Sequence, residues 1–308
     1  RCSSSRVFRE SRTVSMVSFP PVRRTNVGGT GRRSEAESAG GPPAPPTLPW
    51  SRDPGIIGGR LPQKGLVGSR AVVTRNYAIL PPQGIPESVL PQWTGTQARV
   101  LAAPAMGARF SMYMLDLGAG GGSSHTLPDH VEAFFYAVSG ECRLDLGSRS
   151  STLGPGCFAF IRPGTKLTVG ARKECRLLWL KKIYEPLDSR RPDDVFGDES
   201  NVRGEPFLGV QVLVLETLLP ADTVYDMAMN IFTFPSGFSL PMTETHFMEH
   251  GLYMLQGQGL YYLGDRWHEV EAGDFIWMGP YVPQSFFATS SEPARYIYYK
   301  NVNRDVTL

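Results

Sequence analysis

The stretch ETHFMEHGLYMLQG, residues 244–257, contains the closest grouping of potentially functional side chains in this sequence. Its side chains Glu244, His246 and His250 are all of types that bind divalent metals, and an apolar run follows them. Residues two apart lie on one face of a β-strand, so Glu244 and His246 would share a face. His250 returns to that face if the strand continues or turns locally. The spacing predicts a metal site on a strand, with polar residues on a solvated strand face as the alternative.

The chain also repeats itself. Three glycines and a tyrosine of its first half each have a counterpart 117 positions later. Short apolar runs separated by turn residues surround both sets, as in β-sheet proteins. The sequence therefore predicts an all-β protein built from two copies of one unit. The matching pairs are Gly140 and Gly257, Gly147 and Gly264, Gly156 and Gly273, and Tyr136 and Tyr253.

Polar stretches mark the expected domain boundaries. Residues 1–60 are rich in Ser, Arg, Gly and Pro, which is typical of a disordered or targeting tail. Residues 188–206 include Ser-Arg-Arg-Pro-Asp-Asp and predict a linker. The two folded units are therefore expected at residues 75–187 and 207–308.

Composition narrows the classes of partner. The 308 residues, 41% of them hydrophobic, suffice for two domains with cores of their own. A formal net charge of +2 gives nucleic-acid binding no electrostatic support. No apolar run approaches the roughly 18 residues that span a bilayer. None of the four cysteines forms a CxxC pair, and free thiols are expected. We expect a small-molecule substrate, and neither nucleic acid nor membrane as a partner.

The metal-type residues resemble the two signature motifs of the cupin superfamily. The first motif there contains a glycine, HxH, a glutamate and a glycine, and the second a glycine followed eleven residues later by a histidine. Glu244, His246 and His250 occupy the ligand positions of the first motif. Gln284, eleven positions after Gly273, occupies that of the second. The resemblance implies two tandem cupin barrels of the double-stranded β-helix, or jelly-roll, type.

These four side chains favour particular metals. Two imidazoles, a carboxylate and an amide oxygen form a mixed N/O shell without thiolate, which favours Mn²⁺ or Fe²⁺ ahead of Zn²⁺. Inward-facing residues of a small barrel can converge in this way. Four protein ligands leave two octahedral positions open for substrate or water.

The first copy provides an internal comparison. The residues 117 positions before the four candidate ligands are Leu127, Asp129, Ala133 and Leu167. Two leucines and an alanine cannot bind a metal. We therefore expect one metal ion per chain and a structural role for the first barrel.

Within the cupins, several segments resemble the (S)-ureidoglycine aminohydrolase family of purine degradation. The resemblance covers about residues 75–308 and is strongest in the second half. It implies a homo-oligomeric bicupin that uses Mn²⁺, with Fe²⁺ or Zn²⁺ ranked lower, to hydrolyse (S)-ureidoglycine to (S)-ureidoglycolate and ammonia in allantoin catabolism. Besides the stretch 244–259, the segments are YAIL at 77–80, PAMG at 104–107, AGDFIWM at 272–278, VPQ at 282–284 and YKNVNR at 299–304.

The same resemblance assigns roles to individual residues. It places the metal on Glu244, His246, His250 and Gln284. It places the substrate on Tyr261, Tyr296 and Lys300, with Glu244 and Lys300 as candidate catalytic residues.

Strand periodicity agrees with these substrate contacts. Tyr296 and Lys300 share one face of an apolar strand, where a cation is costly unless it meets an anion, here the substrate carboxylate. Core packing for the tyrosines and a solvated strand end for Lys300 are the ordinary alternatives. The residues 117 positions earlier are all apolar, namely Leu144, Trp179 and Ile183.

Fold alone does not fix function. A dioxygenase or isomerase on the same barrels is one alternative, and a storage or sugar-binding bicupin without catalysis is another. For localisation, plant relatives imply the endoplasmic reticulum. The Arg- and Ser-rich start of the chain resembles a transit peptide and suggests a plastid instead, with the cytoplasm as a third option.

Overall fold

The computed structural model describes residues 70–147 and 149–305. The predicted tail, residues 1–60, lies outside the described residues. Those described form β-strands and three short 3₁₀ turns, at Pro82–Gly84, Pro104–Met106 and Glu199–Asn201. The prediction of an all-β protein is confirmed. No helix in the described ranges is long and apolar enough to cross a membrane.

Ten strands belong to the chain up to residue 198. They are β1 (Val72–Val73), β2 (Tyr77–Leu80), β3 (Glu87–Ser88), β4 (Trp93–Ala102), β5 (Phe110–Thr126), β6 (Val131–Asp145), β7 (Ser150–Leu153), β8 (Cys157–Ile161), β9 (Lys166–Ile183) and β10 (Val195–Asp198).

Nine further strands complete the described chain. They are β11 (Glu205–Phe207), β12 (Val210–Thr217), β13 (Met227–Phe234), β14 (His250–Gln256), β15 (Gln258–Leu263), β16 (Arg266–Glu271), β17 (Phe275–Met278), β18 (Gln284–Ala288) and β19 (Ala294–Asn301).

The strands pair into three antiparallel sheets. The first has the order β10-β8-β6-β9-β5-β4-β3, with β7 beside β6. Its long strands β5, β6 and β9 contain register shifts, which bend a strand and let one sheet wrap around the first barrel. The second barrel uses two sheets, of order β1-β2-β17-β14-β19-β13-β12-β11 and β16-β15-β18.

Three hydrophobic cores follow from strands that are buried on both faces. In β19, Tyr296 and Tyr298 belong to the core inside the second barrel. Ile297 and Tyr299 belong to a core shared by the two halves. β6 alternates in the same way between the shared core and the interior of the first barrel. This period of two also places Lys300 on the inward face of β19.

The six repeated glycines occur at positions with the same backbone conformation. All six have positive φ, between 67° at Gly264 and 94° at Gly273; five lie between strands, and Gly140 lies at a register shift inside β6. An L-residue with a Cβ is strained there, whereas glycine is not. At Gly257 an added Cβ would also lie 2.9 Å from the Cα of Ala294. The pattern that marks the repeat in the sequence therefore marks a backbone conformation that both barrels require.

One strand crosses between the halves, and a second adds to the edge of the first sheet. β2 precedes the first barrel in the chain but pairs with β17 of the second, with Tyr77 opposite Met278. β10 falls within the predicted linker 188–206 and pairs with β8 of the first sheet, with Val195 opposite Phe160. The ladder between β2 and β17 therefore joins the halves in addition to the shared core. The boundaries at 75–187, 188–206 and 207–308 stay a prediction.

Candidate functional site

The candidate ligands meet at one end of the second barrel. Glu244 and Gln284 face each other in an isolated antiparallel bridge. The Glu244 N–H donates to the Gln284 carbonyl at 2.8 Å, and the Gln284 N–H donates to the Glu244 carbonyl at 2.9 Å. Directly opposed residues carry their side chains on the same face. Gln284 opens β18, as expected for a ligand from a separate strand.

Of the two expectations for the segment from Glu244 to His250, a continuing strand or a local turn, the structure shows that the chain leaves the strand between them. Residues 245–249 are irregular, and His250 is the first residue of β14. His246 therefore reaches the site from a loop. The chain turns here because β14 must pair with β17 and β19, whereas Glu244 pairs with β18.

The His246 ring is oriented by its own loop. Its Nδ1 lies 3.2 Å from the Met248 carbonyl, so Nδ1 carries the proton and Nε2 presents a lone pair. The Gln284 amide nitrogen lies 3.3 Å from that Nε2. A ring N–H anchored on a carbonyl is the usual support for a metal-binding histidine. Nothing in the sequence marked the Met248 carbonyl for this role.

His250 is packed between two rings. Its centroid lies 4.8 Å from that of His246 and 5.3 Å from that of Tyr298. The side chain is buried, and its Nε2 has no hydrogen-bond partner. An unpaired buried nitrogen is costly unless a ligand satisfies it. The Tyr298 ring therefore supports His250 from the neighbouring strand β19.

Burial keeps both imidazoles neutral. It lowers the pKa of His250 well below the ordinary value, and His246 and Lys300 lower it further. It also lowers the pKa of His246, again with help from Lys300. Neutral imidazole is the form that binds metals.

Glu244 and Lys300 are oppositely charged groups, and each affects the pKa of the other. Burial raises the pKa of Glu244, and Lys300 opposes the rise. Burial lowers the pKa of Lys300, and Glu244 opposes the fall. Lys300 lies directly across from His250 in the ladder between β14 and β19. Within the described ranges Lys300 forms no direct ion pair with a carboxylate, so its ammonium is available to a bound anion.

The two candidate substrate tyrosines are fully inside the barrel. Tyr261 donates a hydrogen bond of 2.7 Å to the Gln284 side-chain oxygen. Its ring centroid lies 6.3 Å from that of Tyr296. Burial raises the pKa of both hydroxyls well above the ordinary value. They therefore stay protonated and act as hydrogen-bond donors.

The donor atoms present fit a divalent ion with mixed N/O ligands. His250 has an unpaired Nε2, and a half-turn of the Gln284 amide would place its oxygen beside the His246 Nε2. The Tyr261 hydroxyl can donate or accept, so it tolerates either amide orientation. In residues 70–147 and 149–305, however, no three His, Cys, Asp or Glu side chains are grouped closely enough to hold a metal. Glu244, His246 and His250 therefore do not close around a point by themselves.

The Tyr261–Gln284 bond gives a first prediction. Tyr261→Phe should weaken Mn²⁺ affinity about tenfold, since groups that orient a metal ligand are typically worth about ten- to a hundredfold. Competition with a chelator measures the affinity. Tyr262→Phe is the matched control, because the neighbouring ring packs on Trp267 instead. Equal affinities for the two variants would show that the hydroxyl does not orient Gln284.

The first barrel does not follow the constant offset of 117 throughout. Leu167, the counterpart of Gln284, pairs with His125 and not with Leu127. Ala133, the counterpart of His250, pairs with Lys181, as His250 pairs with Lys300. The assignment of Leu127 and Ile183 as counterparts of Glu244 and Lys300 is therefore wrong. The physical reason is that connections of different length precede and follow the shared glycine frame.

Comparisons with known proteins agree with this architecture. The cupin domain model matches residues 112–181 and 230–299, one segment in each half. Together with the strand arrangement, this confirms two tandem cupin barrels. The crystal structure of protein Ylba from Escherichia coli is 30% identical, covers 79% of this chain and 98% of its own, and superposes with a TM-score of 0.71.

Curated relatives resolve the family further. The (S)-ureidoglycine aminohydrolase of Escherichia coli is 33% identical over 251 residues, 80% of this chain and 96% of its own. That of Arabidopsis thaliana is 34% identical over 240 residues, 77% of this chain and 79% of its own. Identity at this level over most of both chains makes this protein a member of the (S)-ureidoglycine aminohydrolase family of two-barrel cupins.

Proposed function

We propose that this protein hydrolyses (S)-ureidoglycine to (S)-ureidoglycolate and ammonia, a step of purine degradation by way of allantoin. The observation that carries the proposal is the match to relatives of that name across both barrels. The site supports it, because donor atoms for a metal and a half-buried lysine lie close together in the second barrel. The reaction replaces the amine of a small carboxylate-bearing aminal by water.

We further propose that Glu244, His246, His250 and Gln284 hold one divalent ion, with Mn²⁺ ahead of Fe²⁺ and Zn²⁺ because the shell contains no thiolate. When bound, such an ion supplies a Lewis acid and a template for the substrate. The neutral imidazoles are in the required protonation state before any ion arrives.

The remaining residues bind and orient the substrate. Lys300 attracts the substrate carboxylate, and the Tyr261 and Tyr296 hydroxyls contact its polar end. Burial raises the pKa of the Glu244 carboxyl group, and the charge of Lys300 opposes that rise. We assign to Glu244 the transfer of a proton to the departing amine. Tyr298 and the other rings of the barrel core exclude bulk water from these contacts.

The test is turnover by purified, Mn²⁺-loaded protein. We expect stoichiometric release of ammonia from (S)-ureidoglycine and formation of (S)-ureidoglycolate. Oxygen uptake would indicate the alternative of a dioxygenase, and rearrangement without ammonia that of an isomerase. Binding without any turnover would indicate a storage or sugar-binding bicupin.

Metal stoichiometry gives a second prediction. The purified chain should bind one ion and not two, since Ala133 and Leu167 stand where the second barrel has His250 and Gln284. His125 is the metal-type side chain that pairs with Leu167. Elemental analysis of the dialysed protein measures the ratio. Two tightly held ions per chain would contradict the assignment.

Assembly and compartment stay proposals that rest on the family. A homo-oligomer is expected, and size-exclusion chromatography with light scattering measures its mass. The endoplasmic reticulum is the proposed compartment, with plastid and cytoplasm as the alternatives. A fluorescent fusion that keeps residues 1–60 distinguishes the three.

A further inference from the structure

The mouth of the first barrel contains a cavity of its own. It has a volume of about 500 Å³ and lies where β4, β5, β6 and β9 end or begin. Its walls include Trp93, His125, Trp179, Lys181 and Arg109. Strand pairing makes it the counterpart of the candidate metal site, because His125 takes the place of Glu244 and Lys181 that of Lys300. The first barrel therefore has a cavity at this end but lacks the four candidate metal ligands of the second barrel.

The charge of this cavity has one sign. Its lining contains three basic side chains, and no Asp or Glu is among its described walls. One of them, Lys182, is buried and already paired with Asp226 and Glu132. Lys181 has no such partner among the described residues and is only half-buried. The free positive charge of the cavity is therefore that of Lys181, with the exposed Arg109 at the rim.

Aromatic rings hold this ammonium in place. The Lys181 Nζ lies 4.9 Å from the Trp179 ring centroid and 5.4 Å from that of Tyr113. Cation–π contacts of this kind orient the charge without neutralising it. The Trp93 and Trp179 rings are 5.3 Å apart, and both line the cavity. Apolar ring atoms of both side chains thus line the cavity beside the cation.

His125 adds a neutral polar group to the same wall. Its Nδ1 lies 2.8 Å from the Ser123 hydroxyl, which fixes the plane of the ring. Burial lowers the pKa of His125, and the charge of Lys181 lowers it further. The ring therefore offers a hydrogen bond and adds no second charge.

We propose that the mouth of the first barrel is a second binding site, which takes a small planar organic carboxylate without a metal. The carboxylate meets Lys181, and the planar part lies against Trp93 and Trp179. A ligand of this class fits because it supplies the missing negative charge and a flat face together. This site is separate from the proposed hydrolytic site and stands or falls independently of it.

The experiment is calorimetric titration of the metal-loaded full chain with benzoate, with benzamide as the uncharged probe of the same shape. We expect benzoate to bind at least about tenfold more tightly, since a charge-assisted hydrogen bond is worth about 1.5–3 kcal/mol. Lys181→Met should remove most of this preference. Lys300→Met, the equivalent change in the second barrel, should leave it intact.

Each outcome bears on the proposal. Equal affinity for benzoate and benzamide, or no binding of benzoate to the wild type, overturns it. Loss of benzoate binding in Lys300→Met but not in Lys181→Met places the anion in the second barrel and overturns it as well. Lys181→Gln serves as a second variant if the methionine destabilises the barrel, and circular dichroism and metal content confirm that each protein is intact. Ammonia release by Lys181→Met at the wild-type rate separates this site from catalysis.

Discussion

Replacing His250 by alanine abolishes metal binding and lowers kcat/KM for ureidoglycine at least about a hundredfold. Groups that merely support a ligand already cost about ten- to a hundredfold, so a ligand itself is expected to cost more. The buried Nε2 of His250 has no hydrogen-bond partner in the described structure and is therefore free for the proposed role of metal ligand. His246→Ala should behave in the same way, because its Nε2 faces the same point beside Gln284.

The barrel should remain folded in the His250→Ala variant. The first barrel carries Ala133 at the equivalent position of its own ladder, fully buried, and needs no histidine there. Elemental analysis, ammonia release and thermal unfolding measure the three properties. The control is His130→Ala, which removes an exposed imidazole outside the site. Unfolding of the variant at ordinary temperature would instead assign the metal a structural role, and full activity would exclude His250 as a ligand.

The fold could be predicted where the same local backbone conformation occurs at matching positions of both halves. Positive φ at Gly140 and Gly257, and at the other two pairs, strongly favours glycine regardless of the rest of the chain. Spacing between such positions therefore survives in the sequence, and the two barrels could be inferred from it. The double burial of β19 was likewise visible as an unbroken apolar run with Lys300 at its end.

The long-range pairings of β2 and β10 could not be predicted in this way. The strand Tyr77–Leu80 has the composition of any short strand, and its partner β17 lies almost two hundred residues away. The same holds for β10, which resembled a linker because of the charged residues before it. Long-range register depends on the shared core, which no local pattern encodes.

The candidate site was predictable as a set of residues but not as a geometry. Ligand types and their order identified His246, His250 and Gln284, whereas the loop that carries His246 and the support from Tyr298 needed coordinates. A constant offset of 117 also failed to identify Lys181 as the counterpart of Lys300, because the connections around the shared glycines differ in length. Outside the segment that the three glycine pairs align, the two repeats differ by insertions, and matching them by one constant offset fails there.

Lys300→Met should lower kcat/KM for ureidoglycine about ten- to a hundredfold and leave the metal content unchanged. The Lys300 side chain points into the second barrel with Tyr296 and Tyr298, where burial already lowers its pKa. Such a cation is costly unless an anion meets it, and in the described structure the opposing charge is Glu244, which it does not contact directly. A charge-assisted hydrogen bond to the substrate carboxylate, worth about 1.5–3 kcal/mol, accounts for the expected loss.

Two features of this substitution distinguish an effect on substrate binding from an effect on the protein's structure. Methionine keeps most of the side-chain volume, so packing around β19 is preserved. Lys181→Met is the matched control, since it removes the equivalent lysine of the first barrel and should leave turnover of ureidoglycine at the wild-type level. Steady-state kinetics on both metal-loaded variants measure the difference. If Lys300→Met turns over substrate as fast as the control, Lys300 is a strand end near solvent, and another group of the second barrel binds the carboxylate.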